Sequence, residues 1–229
     1  MHKLEPIADK IRQDFDVRTS ARDRALAQAR QLTRACSLAI RAVHRDETSV
    51  MQEHLDQARK LAQSLKNDLA AHPDLLYAGY TQDALKEFVE ANVTCALIQN
   101  RPLLTPEELG VAGFTYLNGL AEVVGELRRR TLDILRHGYS QEAERLLGIM
   151  DDIYSVLVTM DYPDAITSGL RRQTDLARGI IEKTRGDVTF SLRGEHLEQA
   201  IGRISAQLNG SKAGLPEAGE RAIPSDDPE

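Results

Sequence analysis

Apolar residues recur every three or four positions along most of the chain, which is the period of an amphipathic α-helix. The first such stretch begins with Leu4, Ile7 and Ile11 and resumes after a polar segment near residue 18. We therefore expect one long first helix, interrupted at most by a kink near residue 18, that ends near His44. The same reasoning predicts seven helices, at about 4–44, 48–71, 74–99, 105–137, 140–158, 164–184 and 195–207.

Proline, glycine and capping residues mark the ends of these helices. Thr105 and Pro106 are followed by two acids, the order typical of a helix N-terminus. Gly138 stands where the fourth helix should stop, and the segment around Gly186 should end the sixth. Residues 188–192 (VTFSL) are then expected to form a short extended segment.

The amino-acid composition favours helices over strands. Leu, Ala, Arg, Glu and Gln dominate the 229 residues, whereas aromatic residues make up 4% and Trp is missing. From Asn209 onward, proline, glycine and acidic residues replace most apolar ones. We therefore predict an all-α fold, with a single antiparallel helical bundle over residues 1–207 and a disordered acidic tail over residues 208–229.

Charge and cysteine content exclude several classes of protein. The net charge of −6 rules out a globally basic nucleic-acid-binding protein, so any anionic partner must meet a local patch. Cys36 and Cys95 lack zinc or disulfide spacing and are expected as buried free thiols in a reducing compartment. No apolar run approaches the roughly 18 residues of a membrane span. We therefore expect no signal peptide, no membrane segment and a cytoplasmic location.

A row of arginines runs along the predicted first helix. Between residues 24 and 45 the chain has no acid but five arginines, here called the arginine stripe: Arg24, Arg30, Arg34, Arg41 and Arg45. At about 100° per residue, the last four point in nearly one direction, away from the apolar face. Such a stripe suits a phosphate backbone, because arginine makes bidentate contacts with phosphate. The alternative is a solvent-exposed face whose charges pair with acids of a neighbouring helix.

Two pairs of glutamates occur on consecutive predicted helices. Glu87 and Glu90 lie three residues apart in KEFVEA, and Glu122 and Glu126 lie four apart in YLNGLAEVVGELRRR. Each pair shares one helix face, so two antiparallel helices could bring four carboxylates to one point. Such oxygen ligands suit Mg²⁺ or Mn²⁺, which would activate water against a phosphodiester. The alternative is that these are ordinary glutamates facing solvent.

Arg128 lies toward the apolar side of the predicted fourth helix. We expect it to be either a buried ion-pair partner or a contact to RNA.

These segments resemble the translin family, and within it the branch of translin-associated factor X (TRAX) and its archaeal relatives. The resemblance runs in order over about residues 20–200 and rests on RALAQARQLTRACSLAIRAVHR, HPDLLYAGYTQDALKEFVEA, YLNGLAEVVGELRRR and SLRG. It implies an all-α fold of about seven helices, assembly into a hollow octamer, and binding of single-stranded RNA or DNA on the inner surface.

The resemblance also implies an activity. TRAX-type subunits are Mg²⁺-dependent endoribonucleases with acids at four positions, which here are Glu87, Glu90, Glu122 and Glu126. TRAX commonly has aspartate where this chain has Glu122, and the extra methylene puts the metal geometry in question.

We therefore predict a metal-dependent endoribonuclease that acts on single-stranded RNA within a homo-octamer. Four glutamates would hold Mg²⁺ or Mn²⁺, while the arginine stripe, Arg128 and Arg129 would contact the RNA. One alternative is a translin-like scaffold that binds single strands without cleaving them. Another is an all-α nucleotide pyrophosphohydrolase, although that class has Glu-x-x-Asp where this chain has Glu-x-x-x-Glu.

Overall fold

The computed structural model describes the backbone of residues 4–212 and the side chains of residues 4–207. The described range is all-α, as the sequence predicted. It holds nine helices and no strand: α1 (Glu5–His44), α2 (Thr48–Asp68), α3 (Pro73–Leu76), α4 (Gly79–Ile98), α5 (Pro106–Leu109), α6 (Gly113–Leu135), α7 (Gln141–Leu157), α8 (Asp164–Thr167) and α9 (Leu170–Lys212).

The long helices pack side by side around one continuous apolar core. α1 contacts α2 and α4, α4 contacts α6, and α6 contacts both α7 and α9. The buried face of α1 is rich in small side chains such as Ala25, Ala35 and Ala39, so two neighbouring helices can approach it closely. Larger side chains fill the centre, among them Leu32, Met51, Phe88, Leu127 and Met150.

Three of the predicted helices are each divided into a short and a long one, and the helix expected at 164–184 is α8 followed by the first part of α9. The helix expected at 74–99 is α3 followed by α4, and the break lies where Ala78 adopts an extended backbone. The helix expected from Thr105 to His137 is α5 followed by α6. Gly110 ends α5 with φ +63°, a left-handed conformation that glycine adopts without strain. A capping box between Thr105 and Glu108 confirms the predicted helix start.

The prediction of an extended segment at 188–192 is wrong, because α9 continues through it. The apolar face of this helix runs past Gly186 to Val188, whose side chain is buried in the core. A glycine inside a helix costs only about 1 kcal/mol, which this packing offsets. Ion pairs on either side, Arg185 with Asp151 and Asp187 with Arg128, also hold the segment against α7 and α6.

α9 extends to Lys212, a few residues into the segment predicted to be a disordered tail. The rest of that prediction, over residues 213–229, lies outside the described residues. Cys36 and Cys95 are fully buried free thiols, as expected. None of the described helices is long and apolar enough to cross a bilayer.

Candidate metal centre

α4 and α6 pack tightly against each other at Gly119. A Cβ atom at this position would lie 2.8 Å from the Cβ of Val89 and 2.9 Å from the backbone oxygen of Lys86. Real Cβ contacts are not that short, so the helix crossing needs a glycine here. The crossing sets the segment that contains Glu87 and Glu90 directly against the next turn of α6, which carries Glu122.

Three of the four predicted carboxylates meet at this crossing. One oxygen each of Glu87, Glu90 and Glu122 lies within 4.8 Å of the other two, and all three side chains are partly buried. We call these residues the glutamate triad. The triad borders an open hollow of about 450 Å³ whose opposite wall belongs to α9, with Gln173, Leu176, Ala177 and Ile180.

The triad carries electrostatic stress that a cation would relieve. Burial, followed by the charges of Glu87 and Glu122, raises the pKa of Glu90 to about 8. Burial and then the charge of Glu122 also raise the pKa of Glu87. Converging carboxylate oxygens that are costly to ionise together fit a hard divalent ion such as Mg²⁺ or Mn²⁺.

Glu126 lines the same hollow but is held by other partners. Its Oε2 lies 2.6 Å from Nε2 of His44 and 3.5 Å from the guanidinium of Arg129. The hydrogen bond with His44, which outweighs burial, lowers the pKa of Glu126. The fourth predicted ligand is therefore an ionised carboxylate beside the triad and not a member of it.

Sequence reasoning missed three residues of the site. Lys86 donates a 2.7 Å hydrogen bond to Oε1 of Glu122, and Gln173 donates one of 3.3 Å to the same oxygen. Burial is the largest single influence and lowers the pKa of Lys86, but the hydrogen bond to Glu122 and the nearby negative charges together outweigh it, so the pKa of the lysine is raised. Lys86 precedes Glu87 in the chain, and His44 lies in the basic segment, so both had a local signal. Gln173 had none.

The arginine stripe lies on the exposed face of α1. Its five guanidinium groups make no ion pair with any described residue, and Arg30 donates a 3.1 Å hydrogen bond from Nε to the backbone oxygen of Leu26. The neighbouring acids that the alternative interpretation required do not reach it. Arg30 and Glu87 line one groove of about 480 Å³ between α1 and α4, so one arginine of the stripe shares a groove with a member of the triad.

The other two arginines predicted to contact RNA already have acidic partners. Arg128 lies 2.8 Å from Asp187 and donates a 2.9 Å hydrogen bond to Thr184, so it joins α6 to α9. Arg129 is half exposed and faces Glu126 on its own helix. Of the two interpretations of Arg128, the structure supports a role as an ion-pair partner.

Comparisons with known proteins give both a relative and structural neighbours. No protein-family model matches the chain. It is 32% identical over 193 residues to the "Uncharacterized protein MJ0175" of Methanocaldococcus jannaschii, covering 83% of this chain and 85% of that one. The structure of AfC3PO in complex with duplex RNA superposes with a TM-score of 0.75 and 30% identity, over 81% of this chain and 96% of that one. Apo-NeC3PO shares the fold, with a TM-score of 0.72 and 20% identity over 80% and 96% of the two chains.

Proposed function

The chain belongs to the translin family, the family of the C3PO proteins, and from this premise we propose that it is a metal-dependent endoribonuclease. It cleaves single-stranded RNA inside a homo-oligomeric shell of eight subunits in the cytoplasm. The observation that carries the proposal is the glutamate triad, three oxygen ligands within 4.8 Å of one another at the floor of an open hollow.

The triad would hold one Mg²⁺ or Mn²⁺, with Glu126 beside it. When bound, the ion supplies a Lewis acid for the phosphodiester and lowers the pKa of a water molecule. Glu126 stays ionised because His44 donates a hydrogen bond to it, so its free oxygen is able to accept a proton from the attacking water. The longer side chain of Glu122, compared with aspartate, is accommodated by its contacts with Lys86 and Gln173.

The arginine stripe would bind and orient the RNA. Its guanidinium groups are exposed and lack acidic partners among the described residues, so they are available to phosphates. The groove shared by Arg30 and Glu87 connects this surface with the triad. AfC3PO was solved with duplex RNA, so the preference for single strands requires that cleavage of a single strand be compared with cleavage of the same sequence as a duplex.

Assembly is supported by apolar side chains at both ends of the described chain. Along the start of α1, Leu4, Ile7, Ile11 and Phe15 are all about half exposed or more. Along the end of α9 the same holds for Phe190, Leu197, Ile201 and Ile204. Exposed apolar stripes of this kind are typical of subunit interfaces. Light scattering should give a species of eight chains, and a stable 25.4 kDa monomer would contradict this part of the proposal.

Cleavage of end-labelled single-stranded RNA by the purified protein, with Mg²⁺ and with EDTA, tests the function. We expect cleavage in Mg²⁺ that EDTA abolishes, and none by Glu122→Ala or Glu126→Ala. Glu53→Ala, which removes an exposed glutamate on α2, should cleave like the wild type. Wild-type protein that cleaves nothing in Mg²⁺ or Mn²⁺, or a Glu122→Ala variant of full activity, would refute the proposal.

A non-catalytic scaffold that binds RNA is the second candidate. The observation in its favour is Lys86, whose ammonium group already supplies one positive charge to Glu122. In that case the arginine stripe would bind RNA with the same strength in Mg²⁺ and in EDTA, and no product would form.

A further inference from the structure

Lys86 occupies an unusual position for a lysine. Its Nζ lies 2.7 Å from Oε1 of Glu122, one of the three carboxylates of the triad, and its side chain is only 20% exposed. The next acid, Asp83, is 3.9 Å away, beyond hydrogen-bond distance. An ammonium group has three N–H donors. Among the described residues, Glu122 is the one acceptor of Lys86, so two donors at the triad are unused by the protein.

The charges of the site set how many divalent ions it can take. With a divalent ion bound and all three carboxylates ionised, the triad and the ammonium group of Lys86 sum to two negative charges, which that single ion neutralises. A second ion would have to enter against the positive charge of Lys86. Phosphoryl-transfer sites with two metals use the second ion to stabilise the attacking or leaving oxygen. Here Lys86 supplies a second positive charge beside the triad.

We propose that Lys86 is a catalytic residue that takes the place of a second metal ion and binds the scissile phosphate. This inference rests on the proposed ribonuclease function. A phosphate that reaches the triad meets the free donors of Lys86, because Nζ is one hydrogen bond away from a triad oxygen. The same contact makes Lys86 a competitor of the divalent ion for Glu122 when RNA is absent.

The chemical step balances without a proton from Lys86. The oxygen of water forms the new bond to phosphorus, and its proton passes to Glu126. The bond from phosphorus to the leaving ribose oxygen breaks with its electron pair on that oxygen, which then takes a proton from solvent. Lys86 keeps its charge and stabilises the extra negative charge that builds up on the phosphoryl oxygens.

The test compares Lys86→Met, Lys86→Arg and the control Lys60→Met, which removes an exposed lysine on α2. Calorimetry with Mn²⁺ in the absence of RNA measures the affinity and the number of ions per chain. Cleavage of single-stranded RNA at saturating Mn²⁺ measures kcat and KM. Circular dichroism confirms that each variant keeps its helix content and Tm.

We expect the two readouts of Lys86→Met to move in opposite directions. Wild type should bind one ion per chain, and Lys86→Met should bind Mn²⁺ about tenfold more tightly because a competing charge is gone. Its kcat should nevertheless fall roughly 100-fold, as when one electrostatic stabiliser of a transition state is removed, with little change in KM. Lys86→Arg should keep the wild-type affinity and recover part of kcat. Lys60→Met should match the wild type.

Other outcomes overturn the inference, and they are separable from failure of the function itself. If wild type cleaves RNA and Lys86→Met cleaves equally fast at saturating Mn²⁺, Lys86 has no catalytic role and the ribonuclease proposal stands. If Lys86→Met loses both Mn²⁺ affinity and activity, the lysine is a structural support of the triad. If wild type neither binds Mn²⁺ nor cleaves, both proposals fall.

Discussion

The Nε2 atom of His44, at the end of α1, lies 2.6 Å from Oε2 of Glu126, in the middle of α6. The imidazole is almost fully enclosed, with 3% of its side chain exposed. Arg130 of α6 also donates a 3.2 Å hydrogen bond to the backbone oxygen of His44. The end of the helix that carries the arginine stripe is thereby fixed to the helix that carries Glu122 and Glu126.

Replacing His44 with Phe should destabilise the fold, because the partly buried Glu126 loses its main hydrogen-bond donor. We expect the free energy of unfolding to fall by about 1–3 kcal/mol at neutral pH. The lowered pKa of Glu126 gives a contribution that is present above its ordinary value of 4.5 and is lost as pH falls through the folded value. The difference in the free energy of unfolding between wild type and His44→Phe, measured by urea denaturation, should therefore become smaller at acidic pH. His137→Phe, at an exposed position, should show no such difference at neutral pH.

Glu90 should make the metal-free protein less stable as pH rises. Its pKa is about 8 in the folded chain against 4.5 for an ordinary glutamate, so between these values the folded state binds a proton that the unfolded state releases. In EDTA we expect wild type to lose roughly 3 kcal/mol more than Glu90→Gln between pH 5 and pH 8, at 1.36 kcal/mol per pKa unit. In excess Mn²⁺, the stability of the wild type should instead rise with pH over this range. Equal dependence of stability on pH for wild type and Glu90→Gln in EDTA would show that neither burial nor the neighbouring carboxylates raise the pKa of Glu90.

Gly119→Ala should separate α4 from α6. The new methyl group would meet Val89 and the backbone of Lys86 below 3.0 Å, and the backbone cannot move aside without shifting the helix. We expect a loss of about 1–3 kcal/mol in stability and a loss of Mn²⁺ affinity, because Glu122 moves away from Glu87 and Glu90. Gly148→Ala on α7 meets nothing within 4 Å, so it should gain up to about 1 kcal/mol. Thermal unfolding and Mn²⁺ calorimetry on both variants check this; an unchanged Gly119→Ala would mean that the crossing tolerates a side chain.

Reversing charges in the arginine stripe should weaken RNA binding without touching cleavage chemistry. Arg34→Glu with Arg41→Glu should raise the Kd for single-stranded RNA and flatten its dependence on salt, because fewer counterions are released on binding. The matched control, Arg59→Glu with Lys60→Glu, makes the same charge change on the exposed face of α2. Fluorescence anisotropy across a salt series measures the Kd and its salt dependence for each double variant. Equal Kd and slope for the two double variants would mean that RNA binds elsewhere.

Helical periodicity was sufficient to predict the long elements because each buries one continuous face. It predicted the ends of α1, α2 and α7 to within three residues, and it located the end of α1 at His44. It failed after Gly186, because a glycine and two charged neighbours resemble a helix stop in sequence. Only the packing of Val188 and the ion pairs across to α6 and α7 show that the helix continues.

The candidate site was predictable within one helix and not between helices. Spacing gives the shared face of Glu87 and Glu90, since three residues span nearly one helical turn. It cannot give the approach of Glu122 to that pair, which depends on the absence of a side chain at Gly119. Nor does it show that His44 binds Glu126 or that Lys86 binds Glu122, since both contacts join residues on different helices.

The most direct test of the central claim, that the triad binds the ion used in cleavage, is anomalous X-ray scattering from crystals soaked in Mn²⁺. We predict one anomalous peak per chain, in contact with carboxylate oxygens of Glu87, Glu90 and Glu122, and no peak in crystals of Glu90→Gln. A protein that cleaves RNA in Mn²⁺ but shows no peak at these three residues, or a peak elsewhere, would contradict the claim.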